Sequence, residues 1–226
     1  IGLPFSLLLA QKRKYDVVGF DINSKKVNQL SKGNFFCEEN SLNLLYKKKY
    51  KSIKFSNKII ESDYYFLCLP TPLSKNKKCD LTYIYKAIDN LSYKLKKNNF
   101  VVIESTIGIG DTKKIKRYIE HKRPDLSNKI NVCCVPEKAI PGNTLKEMQN
   151  NDRFIGCNRS QFKNIAKIYR SFSKGDVKNC TAEQAEASKL IENTFRDYQI
   201  AFSNYLHSNL KNLKISSQNV INICNR

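Results

Sequence analysis

Five stretches of this chain hold residues whose types and spacing could do chemistry. The first is DVVGFD, Asp16 to Asp21, an apolar run closed by a carboxylate. In a dinucleotide fold an acid at that place accepts hydrogen bonds from the adenosine ribose hydroxyls and repels a 2′-phosphate, favouring NAD over NADP. The second is LPTP, Leu69 to Pro72, whose prolines hold the backbone and leave Thr71 between them; a plain rigid turn would read the same way. The third is ESTIGIGDT, Glu104 to Thr112, where Ser105 and Thr106 leave an apolar run and two glycines precede a helix. Amides exposed there form a ready site for an anion or polar ligand. The fourth, VPEKAIPG, Val135 to Gly142, sets Glu137 at the end of the run NVCCV. A carboxylate so placed can be desolvated and position a water or hydroxyl. The fifth is a polar stripe, Lys189, Asn193 and Arg196, spaced i, i+4, i+7 and therefore on one face of a helix. It is either a lining of a cleft or an ordinary solvated face.

The elements that must position these residues alternate. Helices are predicted over Leu3 to Arg13, Ser24 to Lys32, Glu38 to Tyr46, Thr82 to Leu95, Asp111 to His121, Gln161 to Phe172 and Ser216 to Cys224. Strands are predicted at Asp16 to Asp21, Ser52 to Phe55, Tyr64 to Leu69, Phe100 to Glu104, Asn131 to Val135, Arg153 to Cys157 and Asp176 to Cys180. Continuous apolar strands separated by helices imply an α/β fold with a doubly wound, mostly parallel, Rossmann-like sheet. Such sheets take ligands outside the carboxyl ends of their strands, where the first four stretches fall. Near Cys180 the alternation stops, which divides the chain into residues 1–180 and an all-helical central segment, 181–226. Its long helix starts after Thr181, carries Glu183 and Glu186 in its first turns, and runs from Ala182 past Leu206 without Pro or Gly. Leu190, Ile191, Phe195, Tyr198, Phe202, Tyr205 and Leu206 give it apolar surface on several sides, so burial by more than one neighbour is expected.

Forty Lys and Arg against 20 Asp and Glu make the chain strongly basic. Lys is spread along the chain with many Asn, Ile, Tyr and Phe, the residues of A/T-rich codons, so coding bias explains the charge and no nucleic-acid partner is expected. Eight Cys and two His form no zinc pattern, and no metal is expected. No run approaches 18 apolar residues, no signal peptide is evident, and a reducing cytoplasmic setting with no membrane contact is expected.

The set IGLP, CLPTPL, ESTIGIGDT, PEKAIPGN, NNDRFIG and KLIENTFRD, in this order, resembles the UDP-glucose/GDP-mannose dehydrogenase family along the whole chain. The resemblance implies NAD-dependent oxidation at C6 of a UDP-sugar, alcohol to acid, by an enzyme that dimerises through its central helix. It implies that Ile1, Gly2, Asp21, Lys26, Thr71 and Thr106 meet NAD. Glu137, Lys138, Lys189, Asn193 and Arg196 would meet the substrate. Among these, Lys189 would be the acid/base or charge stabiliser, Asn193 would share the oxyanion, and Thr106 and Glu137 would help in catalysis. Tyr198, Phe202 and Tyr205 are the expected partner contacts, with burial inside the chain as the alternative.

Departures from the family pattern set expectations too. The family's nucleophilic Cys lies in a G-G-x-C segment that these 226 residues do not contain, and Ile1 and Gly2 stand where the end of G-x-G-x-x-G would fall. The chain opens without Met and closes at Arg226 without a terminal signal, so it reads as an internal piece of a longer protein, inactive alone. Another UDP-sugar 6-dehydrogenase, or a non-catalytic NAD-binding and dimerising remnant, would share most of these features.

Overall fold

The computed structural model describes residues 1–11, 14–140 and 142–224; Arg13, Pro141 and Arg226, which enter the readings above, lie outside the described residues. In chain order the elements are α1 (Gly2–Ala10), β1 (Val17–Phe20), α2 (Ser24–Ser31), α3 (Asn40–Lys49), β2 (Ile53–Ser56), β3 (Tyr64–Leu67), α4 (Thr82–Leu91) and β4 (Phe100–Ile103). They continue with α5 (Asp111–Lys122), β5 (Asn131–Cys134), α6 (Thr144–Asn150), β6 (Arg153–Gly156), α7 (Arg159–Tyr169), β7 (Val177–Cys180), α8 (Ala182–Asn212) and α9 (Ser217–Cys224). Two compact units result, Ile1–Ala187 and Ser188–Arg226.

In the first unit the strands form a parallel-dominated, Rossmann-like α/β layer. β3, β4 and β5 pair in parallel, with Phe100 opposite both Tyr64 and Asn131, and β6 pairs in parallel with β7. Every residue of β4, FVVI, is buried, because helices cover both faces. On one face Val102, Cys133 and Ile155 pack with Phe5 and Leu8 of α1 and with Ile165 and Tyr169 of α7. On the other, Val101, Ile103 and Cys134 pack with Ile84 and Ile88 of α4, Ile115 and Ile119 of α5, and Ala185 of α8. Gly156 lies under the first turn of α8: a Cβ there would stand 2.8 Å from both Ala182 Cα and Ala185 Cβ.

Three expectations for the first unit need correction, and one helix is additional. The strands make two sheets, not one: β1 pairs with β2 alone, and β3 to β7 form a separate five-stranded sheet. β6 runs antiparallel to β5, because the intervening chain carries only α6, which packs on α1 and α3 instead of crossing the sheet. The α4 helix stops at Leu91 and tightens into a 3₁₀ turn, Ser92–Lys94. Helix α6 was not anticipated. Its start is capped from far along the chain, where the Glu39 carboxylate accepts from the backbone N–H groups of Gly142 and Thr144, each at 2.9 Å.

Helix α8 opens with a reciprocal cap. The Thr181 hydroxyl accepts from Gln184 N–H at 3.2 Å, and the Gln184 side chain accepts from Thr181 N–H at 2.9 Å. The expectation that this helix is buried on several sides is overturned from Ile191 onward. Ile191, Phe195, Tyr198, Ile200, Phe202 and Tyr205 are all exposed, and Tyr198 stacks on Phe202 with ring centroids 6.2 Å apart. Among the described residues none covers that face; an apolar period marks a face that favours burial but does not supply its partner. Among the described residues no helix is long and apolar enough to cross a membrane.

Candidate functional site

A cleft of about 370 Å³ opens where β3, β4 and β5 end, lined by Ile1, Cys68 to Thr71, Glu104 to Thr106, and Glu137. Backbone and hydroxyls stitch its two central loops together. Thr71 Oγ1 donates to the Thr106 carbonyl at 2.6 Å, and Ser105 Oγ accepts from Leu69 N–H and lies 2.8 Å from Leu69 O, to which it donates. The LPTP and ESTIGIGDT stretches are therefore one rigid rim. Helix α1 starts at the cleft with no side-chain cap on its first amides, so its N-terminal donors remain for a ligand.

Glu137 is 5% exposed and accepts three hydrogen bonds. Its Oε1 accepts from Lys138 N–H at 2.7 Å and Ala139 N–H at 2.9 Å, and its Oε2 accepts from Arg153 Nη2 at 2.9 Å. Arg153 Nη2 also donates to the Met148 carbonyl, and its guanidinium lies 5.2 and 5.5 Å from the ring centroids of Tyr169 and Phe172. Burial works against the Arg153 charge, but Glu137 and Glu104 outweigh it and hold the guanidinium above its ordinary range. Glu104, the last residue of the apolar run FVVIE, is 2% exposed, and its Oε1 accepts from the Tyr169 hydroxyl. Burial pushes its carboxyl up to about 8; the Arg153 charge pulls downward and the Glu137 charge upward. Among the described residues neither Glu104 Oε2 nor Arg153 Nε has a hydrogen-bond partner. One guanidinium thus faces two acids and neutralises one.

The candidate residues divide between several places. The cleft gathers Ile1, Thr71, Thr106 and Glu137. Gly2 begins α1, with its Cβ position 3.5 Å from Cys68 Cβ. Asp21, at the end of β1, accepts from Asn23 N–H at 3.0 Å and from Lys26 Nζ at 2.6 Å. Burial opposes ionisation of Asp21, but these two donors and the Lys26 charge hold its carboxyl below the usual range. Lys138 sets its ammonium over the Phe154 ring, 5.4 Å from the centroid. On α8, Lys189 is buried, Asn193 is exposed, and Arg196 Nη2 lies 3.5 Å from Glu192 Oε1.

Three polar residues in the first unit were not singled out from the sequence, and Glu186 was read only as an acid in the first turns of α8. Arg153 and Tyr169 complete the acid cluster, Glu39 caps α6, and Glu186 caps α5. The Glu186 carboxylate, 1% exposed, accepts from Gly110 N–H at 2.6 Å and Thr112 N–H at 2.7 Å. The one available signal was the acid closing FVVIE, a charge set against an otherwise apolar run.

A parallel layer with a polar rim at its strand ends is the architecture of a nucleotide-binding scaffold. Residues 1–173 match the UDP-glucose/GDP-mannose dehydrogenase family, NAD binding domain, and residues 183–226 match its central domain. The chain belongs to the UDP-glucose/GDP-mannose dehydrogenase family. It is 38% identical over 233 residues to the UDP-N-acetyl-D-mannosamine dehydrogenase of Methanococcus maripaludis, covering 100% of this chain and 53% of that protein. It is 32% identical over 237 residues to the NDP-N-acetyl-D-galactosaminuronic acid dehydrogenase of Ralstonia nicotianae, covering 100% and 56%. The UDP-D-ManNAc dehydrogenase structure from Pyrococcus horikoshii superposes with a TM-score of 0.91 at 31% identity, covering 100% of this chain and 55% of that one. The chain thus spans about half the length of the curated relatives it matches.

Proposed function

We propose that this chain forms the NAD-binding and central portions of a nucleotide-sugar 6-dehydrogenase whose substrate is UDP-N-acetylmannosamine, oxidised at C6 from alcohol to acid for polysaccharide precursor synthesis. The observation that carries the reading is the stitched rim in which Thr71, Thr106 and Glu137 line one cleft at the ends of three parallel strands. The motifs PEKAIPGNTLKEM, NNDRFIG and ENTFRD favour the mannosamine sugar within the family.

The residues present fit the cofactor. A carboxylate with two donors already in place keeps further lone pairs for ribose hydroxyls, so Asp21 would hold the adenosine with Lys26 beside it. Ile1 and Gly2 offer the uncapped amides of α1 to a pyrophosphate, and the Thr71 and Thr106 hydroxyls offer polar contacts along the rim. When bound, NAD supplies the hydride acceptor. Glu137, tied by two amides and Arg153, is a fixed anion that orients a water or sugar hydroxyl through its remaining lone pairs, with the Thr106 hydroxyl beside the same cleft. The Lys189 ammonium would offset charge developing on the C6 oxygen, Asn193 would share that load, and Lys138 and Arg196 would hold the rest of the substrate. The exposed face of α8 with Tyr198, Phe202 and Tyr205 is assigned to a second copy of the chain. No covalent thioester step is assigned to these 226 residues, which hold no G-G-x-C segment.

Saturation-transfer NMR on this chain tests the reading without requiring turnover. NAD gives transfer to its adenosine ribose protons, NADP binds more weakly, and Asp21→Ala weakens NAD by roughly tenfold, the loss of a charged hydrogen-bond acceptor worth about 1–3 kcal/mol. With NAD present, UDP-N-acetylmannosamine shows stronger transfer than UDP-glucose. Absence of NAD binding sinks the whole proposal; equal response to every UDP-sugar sinks the sugar assignment alone.

A further inference from the structure

Three cysteines on the strands and one just beyond β6 gather near the antiparallel joint, two on each face of the sheet. Cys133 and Cys157 belong to the cluster that includes Tyr169 and Ile155, whereas Cys134 and Cys180 belong to the cluster on the opposite face. The β5–β6 register aligns Cys134 with Gly156, so the antiparallel ladder sets Cys133 opposite Cys157. Opposed residues of antiparallel strands stand about 4.5–5.5 Å apart at Cα, inside the roughly 4.4–6.8 Å that a disulfide spans. Cys134 and Cys180 flank Gly156 from two sides, two strand spacings or about 9.6 Å apart, too far to join. All four are free thiols.

The Cys133–Cys157 pair is also asymmetric. Cys133 is fully buried, and Cys157 lies half-buried just beyond β6, where Asn179 Nδ2 donates to its sulfur at 3.6 Å. The neighbouring Cys133 thiol, joined by the hydrogen bond from Asn179, holds the Cys157 thiol below its ordinary range against the effect of burial, while Cys133, whose sulfur lies 3.9 Å from Gln161 Oε1, is raised. An accessible sulfur that ionises readily beside a buried partner is the arrangement of a peroxide-reactive thiol with its resolving thiol.

We propose that Cys157 and Cys133 form a reversible redox modification site, oxidised by hydrogen peroxide to a cross-strand disulfide. The Cys157 thiolate attacks a peroxide oxygen; an S–O bond forms, the O–O bond breaks, and hydroxide leaves and takes a proton as water. The Cys133 sulfur then gives up its proton and attacks the sulfenic sulfur, forming S–S, breaking S–O and releasing a second water. Two thiols lose two electrons in all, and one peroxide is reduced. Glu137 and Arg153 each lie four residues along the chain from Cys133 and Cys157, so the disulfide would tie the two segments that carry the buried ion pair of the cleft. The site does not depend on the nucleotide-sugar reading.

The test is to treat the folded chain with hydrogen peroxide, alkylate, digest with trypsin without reductant and map linked peptides. Residues 130–138 and 154–159 should be recovered joined, with fragment ions placing the bond at Cys133 rather than Cys134. Dithiothreitol should release them. Cys157→Ser should abolish the link and leave Cys133 reduced, and Cys133→Ser should leave Cys157 as a sulfenic acid that dimedone captures. The proposal fails if Cys157 remains reduced at a peroxide dose that oxidises the urea-unfolded chain. It fails equally if Cys157 joins Cys180 or another chain, or if the folded chain gives the same mixed pairings as the unfolded one.

Discussion

Replacing Glu104 by Gln removes a titration that the fold suppresses, and its effect on stability can be worked out from the structure. The folded chain holds the Glu104 proton up to about 8, against an ordinary 4.5. A folded-state pKa above the unfolded one means that the native state binds the extra proton between those values. Stability therefore falls as pH rises through that window and levels off above it, at a slope of roughly 1 kcal/mol per pH unit. Between pH 5 and pH 7 the wild-type chain should lose about 2 to 3 kcal/mol from this one group. Glu104→Gln stays neutral throughout and keeps an oxygen to accept from the Tyr169 hydroxyl, so the packing against Arg153 and Phe172 is undisturbed. The assay is urea unfolding of both chains at pH 5, 6, 7 and 8, taking the difference so that all other titrations cancel. The variant should gain on the wild type steadily up to pH 8. A difference that stays flat across those four points would mean that Glu104 is already ionised in the fold, and the charge balance drawn for the cleft would be wrong.

Two further perturbations follow from the cap on α5 and the exposed face of α8. Glu186→Ala leaves the Gly110 and Thr112 amides without their acceptor at the start of α5, and should cost about 2–4 kcal/mol from two charge-assisted hydrogen bonds; a urea midpoint unmoved from wild type would refute the cap. Phe202→Asp puts a charge in the aromatic stripe, and by sedimentation should convert a dimer into monomers of unchanged helix content; a dimer that persists would remove that face from the proposed interface.

Much of the fold was legible because its physics is local. A strand covered on both faces must be apolar throughout, so FVVI and NVCC announced themselves, and helices between them required parallel pairing. The spacing of Asp21, Thr71, Thr106 and Glu137 at the ends of successive apolar runs marked the rim by the same reasoning, and three of these four are placed with the cleft or its edge strands as the runs end. The direction of β6 was not legible, since an apolar strand of four residues reads alike in either direction and only the path of α6 decides it.

The cluster Glu104, Tyr169, Arg153 and Glu137 was hidden for a related reason. Its members lie 16 to 65 residues apart, and nothing in the local sequence says that one guanidinium will be shared between two acids. Glu39 and Glu186 cap helices 105 and 74 residues away. The sequence by itself determined most of the helices and strands, α6 excepted, and which residues stand at strand ends, because period and composition act over a few neighbours. Tertiary structure alone decided which charges are neutralised, which helix ends are satisfied and which apolar face stays open. Those depend on desolvation and on hydrogen-bond partners that come together only when distant segments pack.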